Sequence, residues 1–348
     1  MKIEWIAEEL VENYNNLHRR RRTMFLLGPS GVGKSDSIRE AAATLSSQYK
    51  CAVPVLDKRL SQMEPPDFGG VPSVVNGRTV KNVPDWWPSD PDSRGILLLD
   101  EITSAPPVMQ AAAYEVALDL SMGGEPLPEG WMVVAAGNRA SDRGVTYPLA
   151  APLLARMTVV TVESSLDGFV AYCGKHNVRG EIVAFVKSRG EYLNERDETI
   201  NTKIAELPIG KPFSNQRAWT TAAQYYLDSP VERRLELMRG SVGDRAATDL
   251  EVFLRIWQTM PSIDAIFKDP DSVDTPKDAA TRYAVSVGIA VRLTATNFAM
   301  AKKYFDRLPG EFKALTVKLA YKRDNTIAEC AAFAEFVAEN PELWKRGA

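Results

Sequence analysis

The sequence of 348 residues predicts an α/β fold, in which a parallel sheet carries helices on both faces and is followed by a helical region. Two observations support this prediction. Five short apolar runs alternate with helical stretches as far as residue 165, which is typical of parallel strands buried on both faces. Beyond residue 165 no further strand is predicted, and several amphipathic segments indicate helices instead.

The five predicted strands are the apolar runs TMFLL, CAVPVL, ILLLDE, WMVVAAGN and TVVTVE, at 23–27, 51–56, 96–101, 131–138 and 158–163. An amphipathic helix is predicted at 2–17, and a loop rich in proline and glycine separates the second strand from the third. In that loop, the two tryptophans of PDWWP are expected to pack against the core rather than to grip a partner. The predicted domains are a core over 1–165, a helical lid over 166–259 and a helical extension over 260–348.

The composition excludes several classes of protein. The net charge of −3 gives no electrostatic case for a nucleic-acid binder, and the basic stretch HRRRR at 18–22 is predicted to be a solvated helix end. Three cysteines without paired spacing and two histidines argue against a disulfide framework, a zinc site and a histidine-based catalytic triad. The N-terminus does not read as a signal peptide, and no run of 18 apolar residues predicts a membrane span. We therefore expect a cytoplasmic protein.

A glycine-rich loop follows the first predicted strand directly. Its sequence GPSGVGKS fits the pattern G-x-x-x-x-G-K-[ST]. Glycines let backbone N–H groups wrap around phosphates, and the next helix directs the positive end of its dipole at the same anion. Lys34 is expected to reach the β- and γ-phosphates, and Ser35 to hold Mg²⁺. The predicted phosphate-binding residues of this P-loop are Gly28, Pro29, Ser30, Gly31, Val32, Gly33, Lys34 and Ser35.

Polar side chains end the next two strands of the predicted core. Asp100 and Glu101 close the third run, and acids there lie at the carboxyl edge of the sheet, where ligands bind in open α/β folds. Asp100 is expected to contact the magnesium ion, and Glu101 to act as the general base on a water that attacks the γ-phosphate. Asn138 ends the fourth strand and is expected to orient that water, although alone it would indicate only a turn.

The order and spacing of these motifs resemble those of the AAA+ ATPases, and within them the MoxR-like branch. The stretches LDKRLSQMEPPDFGGVP, EITSAPPVMQAAAYEVALD and EPLPEGWMVVAAGNRASDRGVTYPLAAPLLARM carry the resemblance. It implies a ring of identical subunits, expected to be a hexamer, that uses ATP and Mg²⁺. ATP is favoured over GTP by this resemblance, and no N-K-x-D element indicates guanine recognition.

The resemblance also implies roles for two arginines and for Asn138. Asn138 corresponds to the first sensor, and Arg156 to the arginine finger that acts on the nucleotide of the neighbouring subunit. Here Ala155 and Met157 stand beside Arg156, where the family usually has aspartate and phenylalanine. Arg217, in KPFSNQRAWTTA, corresponds to the second sensor, which begins a lid helix and reaches back to the γ-phosphate.

Three functional readings and one residue assignment stay open at this point. Arg139 and Arg143 compete with Arg156 for the trans-acting role. The resemblance favours a protein-remodelling ATPase whose client or adaptor carries a von Willebrand factor A-type domain. A nucleic-acid motor of a replication or restriction machine is the alternative, against which the acidic balance argues. A nucleotide switch without hydrolysis is the third reading, against which the intact acid pair argues.

Overall fold

The computed structural model describes residues 1–142, 146–197, 200, 210–258 and 260–345. These residues form two compact units. The first unit holds residues 1–165 and the stretch that begins at Arg196, and the second holds Leu166–Glu195 and the chain from Gly210 onward. Among the described residues, no helix is both long enough and apolar enough to cross a lipid bilayer.

The first unit is built on a parallel five-stranded sheet. Its strands run in the order β2-β5-β8-β1-β9, and every neighbouring pair is parallel. Two short antiparallel hairpins, β3–β4 and β6–β7, lie outside this sheet. The strands are β1 (Met24–Leu27), β2 (Val55–Arg59), β3 (Val71–Val75), β4 (Arg78–Asn82), β5 (Arg94–Asp100), β6 (Ser121–Met122), β7 (Glu125–Pro126), β8 (Gly130–Gly137) and β9 (Thr158–Thr161).

Helices cover both faces of the sheet. The helices of the first unit are α1 (Ile6–Asn15), α2 (Leu17–Arg20), α3 (Lys34–Tyr49), α4 (Pro65–Gly69), α5 (Pro107–Asp119) and α6 (Ala151–Arg156). Alternate strand residues enter two separate cores: Phe25 and Leu97 pack with α5 on one face, and Leu26 and Leu98 pack with α1 and α3 on the other. The predicted fold class, a parallel sheet between two helical layers, is confirmed.

The strand order brings the predicted motifs to one edge of the sheet. β8 lies between β1 and β5, and all three strands end at the same edge because they are parallel. The glycine-rich loop leaves β1, the acid pair ends β5, and Asn138 follows β8. Three segments far apart in sequence therefore meet where an open α/β sheet binds its ligands.

The structure corrects the predicted elements between residues 50 and 95. β2 begins at Val55 rather than at residue 51, and it carries the charged residues Asp57, Lys58 and Arg59. The run CAVPVL misplaced it, because Cys51 to Pro54 precede the strand. The predicted proline- and glycine-rich loop contains α4 and the β3–β4 hairpin.

All regular elements among the described residues of the second unit are helices. Its helices are α7 (Leu166–Lys175), α8 (Gly180–Ser188), α9 (Gln216–Ala218), α10 (Gln224–Tyr226), α11 (Val231–Val242), α12 (Asp244–Gln258), α13 (Ile263–Lys268), α14 (Ala279–Arg292), α15 (Phe298–Phe305), α16 (Gly310–Arg323), α17 (Ala331–Glu339) and α18 (Pro341–Lys345). A π-helical turn, Trp219–Ala223, joins α9 to α10. One apolar core contains residues of α8 and of α13 to α17, so it extends across the predicted boundary at residue 260.

Candidate functional site

The phosphate loop has a backbone that requires glycine. Gly31 and Gly33 have φ angles of 76° and 105°, in the left-handed region that side chains disfavour. A Cβ atom at Gly28 would lie 2.7 Å from the Val162 carbonyl oxygen, so only glycine lets the loop leave the sheet this closely. α3 begins at Lys34, so the loop ends at a helix N-terminus, where the first N–H groups have no acceptor within the helix itself. This cradle suits a phosphate group.

Lys34 connects the phosphate loop to the end of β8. Its side chain is buried, and Nζ donates to the carbonyl oxygens of Gly28, at 2.7 Å, and Pro29, at 3.0 Å. The same Nζ donates to Asn138 Oδ1 at 3.2 Å. The lysine and the asparagine were predicted from separate motifs, and they lie within hydrogen-bonding distance of each other. Their contact lies beside the phosphate loop.

Ser35 and Asp100 form the second link between motifs. The Ser35 hydroxyl donates to Asp100 Oδ2 at 3.3 Å, and the Glu101 N–H donates to Asp100 Oδ1 at 2.9 Å. Burial raises the pKa of Asp100, with the Glu101 N–H partly opposing this shift. A cation bound beside this carboxylate would offset the cost of its burial.

The oxygen atoms at this edge suit a magnesium ion. Mg²⁺ prefers oxygen ligands and usually takes only one or two protein side chains, together with phosphates and water. Ser35 and Asp100 supply a hydroxyl and a carboxylate, and no cluster of three or more His, Cys, Asp or Glu able to hold a metal occurs among the described residues. Asp57, whose charge contributes to the raised pKa of Asp100, has a buried Oδ1 that finds no hydrogen-bond partner among the described residues. An acceptor of this kind suits a metal-bound water.

Glu101 is held by a contact that the sequence did not indicate. The Ser61 hydroxyl donates to Glu101 Oε2. Ser61 lies in the 3₁₀ turn Leu60–Gln62, directly after β2. Glu101 itself has φ of 56°, an unusual backbone conformation for a residue with a side chain. The predicted general base therefore has a defined position at the end of β5.

Thr103 fixes the start of the segment that carries Asn138. The Thr103 hydroxyl accepts a hydrogen bond from the Asn138 N–H at 2.9 Å. A Cβ atom at Gly137 would lie 2.7 Å from Thr103 Cγ2, so the close approach requires glycine at that position. The turn after β5 and the end of β8 are thereby held together.

Arg156 lies at an exposed helix end. It is the last residue of α6, and within the described part of the chain it makes no ion pair. Arg22 fixes this helix end, because its guanidinium donates to the carbonyl oxygens of Ala155, at 3.2 Å, and Met157, at 3.0 Å. Arg22 Nε also donates to Thr158 Oγ1 at 3.0 Å. An exposed arginine on an anchored helix end is what a trans-acting residue requires.

Of the two other arginines considered for the trans-acting role, the structure describes Arg139 alone. Arg139 is buried, and its guanidinium contacts Asp142 at 3.2 Å and Asp197 at 3.1 Å. These bonds fix it inside its own unit, which argues against a role on a neighbouring subunit. Arg143 lies outside the described residues.

Arg217 lies in the second unit, on α9, and its side chain is exposed. Asn215 caps this helix by accepting from the Ala218 N–H at 3.0 Å. The hydroxyl of Thr221, in the π-helical turn, donates to the Arg217 carbonyl oxygen at 2.6 Å. The contact expected between Arg217 and the γ-phosphate stays a prediction.

The tryptophans of PDWWP pack as expected. Trp87 is buried and Trp86 half-buried, and both belong to the apolar core that includes α5. Trp86 Nε1 donates to the Asp67 carbonyl oxygen at 3.3 Å, which ties the segment to α4. These contacts leave both rings engaged in the fold of the first unit.

The basic stretch at 18–22 is engaged in local contacts. Arg19 lies within 3.7 Å of Glu9, and Arg21 lies 3.2 Å from Glu129. Arg20 stacks over the Tyr14 ring at 5.2 Å, and Arg22 binds the end of α6. The stretch therefore does not offer four unpaired charges to a nucleic acid.

No protein-family model and no curated protein sequence matches the chain. Among solved structures, it is similar to a proposed ATPase from Cytophaga hutchinsonii at 13% identity and a TM-score of 0.34, over 97% of this chain and 88% of that one. NtrX from Brucella abortus, in complex with ADP, matches at 14% identity and a TM-score of 0.31, over 97% of this chain and 68% of NtrX. Hsp104 with ATPγS and FITC casein matches at 12% identity and a TM-score of 0.33, over 74% of this chain and 48% of Hsp104. These values do not define a family.

Proposed function

We propose that the chain is an ATPase of the AAA+ class, of the MoxR-like branch, that works as a ring and remodels a protein client. One observation carries the proposal. Lys34, Ser35, Asp100 and Asn138 come from three separate segments, yet hydrogen bonds join Lys34 to Asn138 and Ser35 to Asp100 at one edge of the sheet. Chance loops after strands would not place a lysine, a hydroxyl, an acid and an amide in this arrangement beside a glycine cradle.

Each residue has a role that follows from its chemistry. The loop N–H groups and Lys34 would bind the phosphates of ATP, and Ser35 and Asp100 would hold Mg²⁺. Glu101 would accept a proton from the attacking water, and Asn138 would orient that water. Arg156 would stabilise the charge of the transition state in the neighbouring subunit, and Arg217 would report on the γ-phosphate from the lid.

The proposal also includes a class of protein client and a cellular compartment. The likeness to MoxR-like proteins suggests a client or adaptor with a von Willebrand factor A-type domain. The nucleic-acid alternative is weakened because Arg19 and Arg21 form ion pairs and Arg22 binds a backbone carbonyl oxygen, all within the first unit. The proposal keeps the cytoplasm as the compartment.

The test compares the wild type with Glu101→Gln and with Glu8→Gln, a matched change of an exposed glutamate on α1. Glu101→Gln removes the base but preserves the shape of the site, so we expect normal ATP binding with hydrolysis reduced by about 10²- to 10⁴-fold. Glu8→Gln should hydrolyse ATP as the wild type does. Binding is measured with a fluorescent ATP analogue, and hydrolysis as phosphate release.

The Glu101→Gln protein, held with ATP, is then used to recover partners. A ring-sized mass and protein clients would support the proposal, and recovered DNA or RNA would favour a nucleic-acid motor instead. Unchanged hydrolysis in Glu101→Gln would remove the assigned base. Absence of ATP binding in the wild type, with magnesium present, would overturn the whole proposal.

A further inference from the structure

The second unit contains a small cavity with largely apolar walls. Its volume is about 120 Å³, and it lies between α7, α8, α14 and α16. Its apolar lining includes Val178, Val183, Val287 and Leu319. An apolar cavity of about 150 Å³ can hold benzene, so this space corresponds to a molecule of a few carbon atoms.

Two basic side chains line this cavity. Lys187 comes from α8 and Arg323 from the end of α16, and both are half-buried. The stem of Arg323 crosses α7 at Gly174, where a Cβ atom would lie 3.3 Å from Arg323 Cγ. One arm of the Arg323 guanidinium donates to the Leu293 carbonyl oxygen. The side chains of Lys187 and Arg323 therefore reach the same cavity from two different helices.

Neither cation forms an ion pair among the described residues, and the two carboxylates whose charges act on them, Asp167 and Asp324, have other partners. Asp167 lies 3.0 Å from Lys322, and the Asp324 carboxylate accepts bonds from the N–H and hydroxyl of Thr326. Burial lowers the pKa of Lys187 to about 8, with Asp167 opposing and Lys322 adding to the shift, and burial also lowers the pKa of Arg323. Two partly desolvated cations that form no ion pair within the described part of the chain favour the binding of a negatively charged group in this cavity.

We propose that this cavity binds a small carboxylate with an apolar body of two or three carbons, whose carboxylate pairs with Lys187 and Arg323. The apolar walls receive the hydrocarbon part, and the two cations select against neutral and positively charged analogues. An inorganic anion would leave the apolar walls without contacts. The site lies wholly within the second unit and does not depend on nucleotide chemistry.

The experiment uses the purified full chain and propanoate as the probe. Calorimetric titration and thermal unfolding are measured with propanoate, and with propan-1-ol and propylammonium as neutral and cationic analogues. We expect saturable binding and a raised melting temperature with propanoate alone. Affinity should fall roughly tenfold or more when the pH is raised through about 8, because Lys187 then loses its charge. The Cys173 thiol does not titrate in that range, since burial raises its pKa to about 12.

Two lysine variants separate binding from folding. Lys187→Met removes the desolvated charge, so we expect a higher melting temperature without ligand and loss of the propanoate-dependent rise. Lys303→Met, at an exposed position on α15, should keep that rise. The proposal is overturned if the wild type shows no saturable propanoate binding, if the neutral analogue binds equally well, or if Lys187→Met binds as the wild type does.

Discussion

The Ser61 hydroxyl donates a hydrogen bond to the carboxylate of Glu101, 40 residues further along the chain. This bond occupies one carboxylate oxygen of the proposed base, and bonds to charged groups contribute about 1.5–3 kcal/mol. Ser61→Ala frees that oxygen for the attacking water, so we expect basal ATP turnover to rise by about tenfold, which corresponds to the lower end of this range. Phosphate release per subunit is the measurement, with the exposed Ser47→Ala as the control. Unchanged or reduced turnover in Ser61→Ala would show that the bond does not restrain the base.

The exposed position of Arg156 predicts complementation between two inactive variants. Arg156→Ala and Glu101→Gln should each lose hydrolysis, the former by about 10³- to 10⁵-fold. In a mixed ring, an intact Glu101 on one subunit can meet an intact Arg156 on the next, so mixing the two variants should restore measurable phosphate release. If the mixture stays as inactive as its parts, Arg156 does not act between subunits.

Arg139 is predicted to act on stability rather than between subunits. Its guanidinium is bound to Asp142 and Asp197 in a buried cluster, and removing one member leaves uncompensated charges. We expect Arg139→Met to lower the free energy of unfolding by about 3–5 kcal/mol. Denaturant unfolding monitors this change, and Arg156→Met serves as the exposed control. Equal stability of the two variants would contradict the structural role.

Lys187 is expected to make the free energy of unfolding depend on pH. Its pKa is lowered from 10.5 to about 8, so between these values the folded chain has released a proton that the unfolded chain still holds. The contribution of this group therefore becomes more favourable as the pH rises through that window, and it is least favourable below about pH 8. We expect Lys187→Met to be more stable than the wild type by about 1–3 kcal/mol at pH 7, and the gain to shrink by about pH 10. Melting temperatures at the two pH values test this, and a constant difference would contradict it.

The parallel sheet was predictable because its signals are local. Continuous apolar runs located β1, β5, β8 and β9, and the glycine pattern located the loop between β1 and α3. β2 was misplaced because its Asp57, Lys58 and Arg59 do not resemble a buried strand. β2 is an edge strand of the sheet, and it pairs with a neighbouring strand, β5, on one side only.

Two further elements differ in how far the sequence could have indicated them. The β3–β4 hairpin has Asn76 and Gly77 at its turn, both with positive φ, and the Asn-Gly pair is a strong hairpin signal. α11, by contrast, is mostly polar, and a buried ion pair from Arg234 to Glu251 at 2.6 Å helps to hold it against α12. No local pattern reveals such a tertiary contact.

The contacts around the proposed active site depend on which strands are neighbours. Ser61 and Asp57 reach the acid pair only because β2 lies beside β5, and Arg22 reaches α6 only because β1 lies beside β9. Strand order is a property of the whole chain, and the spacing of residues within one motif does not encode it. The sequence therefore indicated the residues expected to perform the chemistry and missed those that position them.

Glu101 carries its carboxylate on a left-handed backbone, with φ of 56°. A residue with a Cβ atom is destabilised there by about 1–3 kcal/mol, whereas glycine is not. The fold would consequently be more robust with glycine at this position, and it would then lack a proton acceptor at the end of β5. At this position the stability of the fold therefore favours glycine, whereas the proposed ATP hydrolysis requires glutamate.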